Sequence, residues 1–182
     1  MQGVIYKSIE DLVVSAHGQE KWAAILREAN VDEPAFVGMA RYPDELAGRI
    51  VGAASKVLGA PPEDIMRAFG RYWTTHTAPH YYGDMLAFAG NSLVEVLRNL
   101  DQMHARIALI FPGYSPPSFR VEELGKDHFR LHYYSKRQGL LPVVEGMLAG
   151  LGDRFGVSLD VQVERTRADG LDHDQLLVTV KT

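Results

Sequence analysis

Apolar residues recur at helical spacing through the first two thirds of the chain. In the opening stretch they lie three or four positions apart, and Gly18 follows as a typical C-terminal cap. In the stretches 43–59 and 60–76, prolines precede acidic residues, which favours the first turn of a helix. Another short helix is indicated after Gly18, and the longest periodic stretch is 91–113. These patterns predict a helical part over about residues 1–112.

The period changes to two in the last third of the chain. Residues 112–135 alternate around a turn at Gly125, which predicts a β-hairpin. Helical spacing returns over 140–156, and two more alternating stretches follow. We therefore expect one α+β domain over residues 1–182, in which a sheet-containing part, about 113–182, is antiparallel and has one helix packed on it.

Composition and charge exclude several classes of function. Apolar residues make up 46% and charged residues 23%, and the net charge is −4 without a long run of either sign, so a nucleic-acid or membrane-surface partner is not expected. The chain has no cysteine, which excludes disulfides, thiolate metal sites and cysteine nucleophiles. No signal peptide or membrane-spanning stretch is recognisable, so a cytoplasmic location is expected.

One histidine lies on an otherwise apolar helical stripe. The stripe follows a spacing of 3, 4, 3 and 4 and comprises Leu97, Leu100, His104, Ile107 and Phe111. Two interpretations are open. His104 is either a half-buried histidine whose nitrogens have backbone or water partners, or a neutral imidazole that faces an apolar cavity and binds a metal or haem iron.

A second candidate feature is the stretch LHYYSKRQGL. If the strand continues through it, Tyr133, Ser135 and Arg137 project to one side, about 6 to 7 Å apart. Two hydroxyls and a guanidinium beside an apolar face can bind an anionic group on a largely apolar ligand. The alternative is a strand end at which Arg137 pairs with a surface acid. The opposite face, with His128 and His132, is expected to face solvent.

Catalytic patterns are weak in this sequence. No nucleophile elbow, P-loop or dinucleotide-binding glycine motif is present, and no pair of acids is placed for acid–base chemistry, so no catalytic residue is proposed and an enzyme is not expected. His76 and His80 have the spacing of metal ligands on a helix, but Pro79 argues against a continuous helix there. A loop at a helix end is expected instead, and a histidine-based metalloenzyme is a remote alternative.

Together, the lone histidine and the Tyr-x-Ser-x-Arg motif about thirty residues later resemble the H-NOX family. These are the haem nitric oxide/oxygen binding domains related to the haem domain of soluble guanylate cyclase. The resemblance extends over essentially the whole chain, including MQGVIYKSIEDLV, LDQMHARI, FPGYSPPSF and YYSKRQGL. It implies that haem b, ferrous iron protoporphyrin IX, is held between the helical part and the sheet.

The resemblance also implies roles for individual residues. His104 would be the proximal ligand of the haem iron, and Tyr133, Ser135 and Arg137 would bind the haem propionates. Pro117 and Ile5 would pack on the porphyrin and distort it. The distal pocket would comprise Trp73, Pro142, Val143 and Val144.

Gas selectivity in this family follows from one distal residue. Members that bind O2 stably have a tyrosine on the helix after the propionate motif, and the corresponding stretch here, LLPVVEGML, has none. The resemblance therefore implies a sensor of NO, and of CO as a second ligand, with weak or absent O2 binding. Trp73 is the one remaining candidate to donate a hydrogen bond to a bound gas. We expect its main role to be packing.

The family mechanism implies that NO breaks the bond between His104 and iron, after which the haem and its helix move. The signal would pass to a separate partner protein, either a histidine kinase or a cyclic-di-GMP enzyme. The alternative function is a haem-free binding module with the same fold, whose cavity accepts another anionic amphiphile such as a fatty acid or a different tetrapyrrole.

Overall fold

The structure, a computed structural model, describes residues 1–32, 35–110 and 115–181. Within these residues, helices dominate the chain as far as residue 110, as the apolar period predicts. They are α1 Gly3–His17, α2 Gln19–Glu28, α3 Asp44–Leu58, α4 Pro62–Tyr72, α5 Ala78–Ala89 and α6 Leu93–Ile110. Phe111, the last residue of the predicted histidine stripe, lies outside the described residues.

The predicted loop around His76 and His80 is wrong, because the chain stays helical there. A π-helical turn, Trp73–Thr77, joins α4 directly to α5, and Pro79 is accommodated in the first turn of α5. Proline is tolerated at that position because the first amides of a helix have no partner within it. Among the described residues, no group of three acidic or histidine side chains could hold a metal ion.

Four strands form one antiparallel sheet in the order β1-β2-β4-β3. Their bounds are β1 Ser118–Gly125, β2 His128–Tyr134, β3 Ser158–Arg165 and β4 Asp174–Lys181. The hairpin around Gly125 is therefore confirmed, as is the helix that follows it, α7 Leu141–Phe155. However, β2 ends at Tyr134, so Ser135 and Arg137 lie in a loop and not on the predicted continuation of the strand.

The buried apolar residues of the described chain form two separate cores. The first is formed by α1 to α4 and includes Tyr6, Ile25 and Ile50, all fully buried. The second combines the sheet with α5, α6 and α7 and includes Leu97 and Leu131. The α+β class predicted from the sequence is confirmed by this arrangement of helices and antiparallel strands.

Helices α4 and α7 join the two halves by an unusually close backbone contact. A Cβ atom added to Gly70 would overlap the Val143 carbonyl, and one added to Gly146 would overlap the Arg67 carbonyl. Ion pairs flank this contact, one of which joins Arg67 to Glu145 at 2.7 Å. The helices can approach this closely only because glycine stands at the crossing points.

Candidate ligand-binding site

A cavity of about 870 Å³ lies where the two cores meet. Its wall is largely apolar and is contributed by both halves, from α1 and α4 on one side and from α6, β2 and α7 on the other. This volume lies in the upper range of cavities that enclose small organic ligands, about 300 to 1,000 Å³. The fold therefore provides room for a large apolar molecule at the interface of its two halves.

His104 lines this cavity from α6, together with its stripe neighbours Leu100 and Ile107. Its ring stacks on Phe119 of β1, with 5.5 Å between the ring centroids. The Nδ1 atom is buried and, among the side chains of the described residues, is the one buried nitrogen or oxygen without a hydrogen bond. Such a polar atom is costly to bury unless it has a partner.

Burial lowers the pKa of His104 below the usual value for histidine. The carbonyl of Leu100, one turn earlier on α6, opposes this shift, although it does not form a hydrogen bond of good geometry with Nδ1. The imidazole is therefore held in its neutral form, in which one ring nitrogen has a free lone pair. That is the form in which histidine binds a metal ion.

Tyr133, Ser135 and Arg137 line the same cavity, so the structure brings them together with His104. However, these three residues reach the cavity by a geometry that differs from the predicted strand. Ser135 accepts a hydrogen bond from the Arg137 amide onto Oγ at 3.1 Å, which bends the chain directly after β2. Burial raises the pKa of the Tyr133 hydroxyl, so this group stays a neutral donor.

Arg137 also forms an ion pair that joins the two halves of the molecule. Its Nε donates to Asp44 Oδ2 at 2.7 Å, and Nη1 donates to the Ser115 carbonyl at 3.4 Å. Of the two interpretations offered for Arg137, pairing with a surface acid is thus present in this structure, but the pair lies at the mouth of the cavity. The guanidinium therefore faces both the acid and the space where an anionic ligand group would lie.

Asp44 was not predicted as a site residue. It is the first residue of α3, and the sequence identified it only as an acid at a helix start. The N-terminal ammonium donates to its Oδ1 at 2.6 Å and, together with Arg137, lowers the pKa of Asp44. Nothing local in the sequence could have linked it to Arg137, which lies 93 positions further along the chain.

The other predicted residues are placed as follows. Ile5 on α1 and Pro117 before β1 both line the cavity, as do Trp73, Val143 and Val144. Pro142 is the exception, because it is not among the residues that line the cavity. It occupies the first turn of α7, while the next two residues provide the wall.

Trp73 is not the one candidate donor to a ligand in this cavity, contrary to the sequence-based expectation. Tyr82 also lines it, with its ring centroid 6.3 Å from that of Trp73. Tyr82 has non-helical dihedrals, with φ −132° and ψ 24°, at a kink within α5. Because the sequence did not predict α5, this residue could not be placed in the pocket.

The expectation that the outer face of β2 is solvated holds for His128, which is exposed, but not for His132. The Nδ1 atom of His132 lies 2.8 Å from Nε2 of His173, and His173 in turn stacks on Tyr134. A half-buried cluster of rings therefore covers this part of the sheet. It was missed because His173, which directly precedes β4, is distant in sequence from β2.

Taken together, the fold and the cavity define a binding domain for a large apolar ligand with an anionic end. The neutral imidazole of His104 has a ring nitrogen that is chemically able to bind a metal within such a molecule. Haem has these features, since its macrocycle is apolar, its edge has two carboxylates and its iron accepts an imidazole nitrogen. The donor set in this cavity therefore fits haem.

Comparison with known proteins agrees with this definition. The family model described as Haem-NO-binding matches residues 2–163. The soluble guanylate cyclase gcy-37 of Caenorhabditis elegans is 33% identical over 95% of this chain, and the rat guanylate cyclase soluble subunit beta-2 is 34% identical over 65% of it. The chain spans 26% and 18% of the lengths of these two relatives.

Solved structures show the same fold. An H-NOX protein from S. oneidensis in the Fe(II)NO ligation state covers all of both chains with a TM-score of 0.88 at 21% identity. An oxygen-binding H-NOX domain related to soluble guanylate cyclases, solved as its oxygen complex, has a TM-score of 0.82 at 22% identity. The chain therefore belongs to the haem-NO-binding, or H-NOX, family, whose domains bind haem. In the described part of the chain, no helix has the length and apolar character needed to cross a lipid bilayer.

Proposed function

We propose that this H-NOX domain is a ferrous-haem sensor of NO, with CO as a second ligand and weak or absent O2 binding. Residues 1–182 act as one domain in this proposal. The observation that supports it most directly is the buried imidazole of His104, whose Nδ1 lacks a hydrogen bond, in a cavity that Tyr133, Ser135 and Arg137 also line.

His104 would be the iron ligand, and haem b would be the cofactor. When bound, its ferrous iron supplies the coordination position at which NO or CO binds. Tyr133, Ser135 and Arg137 would hold the propionates at the mouth of the cavity, where two hydroxyls and a guanidinium can donate to carboxylate oxygens. Arg137 would share its positive charge between a propionate and Asp44.

The cavity wall supports the proposed preference for NO over O2. Val143 and Val144 line it at the start of α7, where O2-binding relatives would have a tyrosine, and neither can donate a hydrogen bond. Bound O2 is polarised and depends on a nearby donor, whereas NO and CO depend on one far less. Trp73, Tyr81 and Tyr82 are among the cavity residues that can donate a hydrogen bond, and we propose that packing is the main role of Trp73 and Tyr82.

Ile5 and Pro117 would press on the macrocycle from the two halves of the molecule. Release of His104 from iron would then free α6, which packs with the sheet. The half formed by α1 to α4 could then shift relative to the half that contains the sheet. A ligand can drive such a shift only by binding the two arrangements with different affinity. A bond that His104 would make to the haem iron in one arrangement and not in the other would supply this difference.

The output of the sensor is a further part of the proposal. A separate signalling protein, a histidine kinase or a cyclic-di-GMP enzyme, would receive the shift between the two halves. Both proteins would act in the cytoplasm. Co-purification of the haem-loaded domain with a candidate kinase, followed by kinase activity with and without NO, tests this part alone.

Haem content tests the proposal as a whole. Protein expressed with sufficient iron and haem precursor should be red and show a Soret band, with about one haem per chain by pyridine haemochrome assay. A colourless protein that takes up no added haem would contradict the proposal. If the same protein bound a fatty acid or another tetrapyrrole, the haem-free binding module would be the correct function.

A further inference from the structure

The loop that follows β2 has no strand to support it. The last residue of β2 that pairs with β4 is Tyr133, opposite Asp174, and the pairing with β1 ends at Tyr134. Ser135 and Arg137 therefore lie beyond the sheet's hydrogen bonds. Backbone carbonyls at such a point need other partners, because a polar group without one is costly to bury.

Arg167 provides these partners. Its Nη1 donates to the Ser135 carbonyl and its Nη2 donates to the Arg137 carbonyl, each at 2.9 Å. One guanidinium thus binds the backbone of the loop at two alternate residues. Because the guanidinium is planar and rigid, two bonds from it fix both the position and the orientation of the loop.

Arg167 is in turn held by Asp174, the first residue of β4. The Arg167 amide donates to Asp174 Oδ1 at 2.9 Å, and its Nε lies 3.4 Å from Asp174 Oδ2. Asp174 is only 6% exposed, and it pairs with Tyr133 across the sheet. Arg167 is therefore tied to the strand end beside the first residue of the anion-binding motif.

The turn that presents Arg167 is also well defined. Residues Arg167–Asp169 form one 3₁₀ turn, capped by reciprocal hydrogen bonds between Thr166 and Asp169. This turn follows β3, outside residues 2–163 matched by the family model.

We propose that Arg167 is a positioning residue for the propionate-binding loop. Arg167 does not line the cavity but holds the Ser135 and Arg137 carbonyls, so that the Ser135 hydroxyl and the Arg137 guanidinium are directed at its mouth. This inference rests on the proposed function, since it assigns Arg167 to the site that binds haem carboxylates. Without Arg167 the loop would have to be ordered by the ligand, which weakens binding.

Haem dissociation is the appropriate measurement. The rate of haem transfer to excess apomyoglobin would be measured for the wild type, Arg167→Ala and the milder Arg167→Lys, which keeps the charge but cannot bind both carbonyls with one planar group. Arg165→Ala is the matched control, because Arg165 is exposed on the same segment and makes none of these contacts. We expect about tenfold faster dissociation for Arg167→Ala, a smaller increase for Arg167→Lys, and the wild-type rate for the control.

Two further measurements separate positioning from a general loss of structure. In an Arg137→Ala background, Arg167→Ala should add less than about twofold, because a residue that acts through another is not additive with it. With haem dimethyl ester, whose carboxylates are blocked, Arg167→Ala should change the dissociation rate by less than about twofold. Faster amide exchange at residues 136–138 in Arg167→Ala, with unchanged exchange in α6, would locate the effect in the loop.

The outcomes also distinguish this inference from the function on which it rests. If the wild type takes up no haem, or if Arg137→Ala dissociates at the wild-type rate, the proposed function or its clamp is wrong. If the wild type and Arg137→Ala behave as proposed while Arg167→Ala matches Arg165→Ala, the positioning role alone is overturned. Additive effects, or an equal effect with the dimethyl ester, would also overturn it.

Discussion

At the scale of single residues, His104 and Arg137 lie on different elements but line one cavity. Placing His104 required only the period of α6, because every fourth or third residue of a helix faces the same side. Arg137 was predicted beside Tyr133 and Ser135 on the assumption that the strand continues, and this reason was wrong because β2 ends at Tyr134. Its direction depends on the turn at Ser135 and on Arg167, which the local sequence does not reveal.

Replacement of the histidine tests its role as an iron ligand. His104→Gly should retain less than about a tenth of the wild-type haem unless free imidazole is supplied, because the haem iron would lose its bond to the protein. His128→Gly, at an exposed position of β2, is the matched control and should keep full haem content. Undiminished haem in His104→Gly without imidazole would remove His104 from this role.

Replacement of the guanidinium tests the anion-binding mouth. Arg137→Ala should release haem about tenfold faster than the wild type, since charge-assisted hydrogen bonds to a carboxylate are among the stronger ones in proteins. The neighbouring Lys136 is exposed and does not line the cavity, so Lys136→Ala serves as control. Equal rates for Arg137→Ala and Lys136→Ala would contradict the proposed clamp.

At the scale of elements, the strongly periodic segments were predictable and the joints between them were not. Helices α1, α3 and α6 and the hairpin followed from apolar spacing and turn residues. The π-helical turn and α5 did not, because Pro79 was interpreted as a helix terminator when it occupies a first turn. Tyr82 was missed for the same reason.

The glycine contact between α4 and α7 gives a prediction at this scale. Gly146→Ala should lower the free energy of unfolding by about 1 to 3 kcal/mol, because its Cβ would overlap the Arg67 carbonyl. Gly52→Ala on α3 meets no atom within 4 Å and should raise it by up to about 1 kcal/mol, since alanine is the better helix former. Chemical denaturation measures both. Equal effects would mean that the helices can separate at no cost.

Tyr6 links α1 to the start of α3 and predicts a dependence on alkaline pH. Its hydroxyl donates to the Pro43 carbonyl at 2.9 Å, and burial, followed by the charge of Asp44, raises its pKa from 10.0 to about 12. The stabilisation is therefore fully present below pH 10.0 and is lost as pH rises towards 12.

Tyr6→Phe should reduce the free energy of unfolding by about 1 kcal/mol at neutral pH, through loss of this hydrogen bond. Its stability should then fall less steeply than that of the wild type above pH 10.0, the unshifted value for tyrosine. Tyr81→Phe, at a more exposed position, is the control and should follow the wild type. Parallel curves for Tyr6→Phe and the wild type would show that Tyr6 ionises equally in the folded and unfolded states.

At the scale of the whole molecule, the cavity exists only because two separate cores face each other. Its wall includes residues from α1, α4, α6, β2 and α7, so no local stretch of sequence predicts its volume. The ion pair of Arg137 with Asp44 spans the same junction and was equally unpredictable, because it joins elements far apart in the chain. A movement of one half against the other would change this pair and the lining of the cavity together.

Absorption spectroscopy of the purified ferrous protein tests the central proposal most directly. Spectra would be recorded under argon, then with NO, and separately in air-saturated buffer. We predict a Soret band under argon, a shift with NO to the spectrum of haem whose iron has lost its histidine, and no stable O2 complex in air. A stable O2 spectrum in air, or no haem absorption at all, would contradict the proposal.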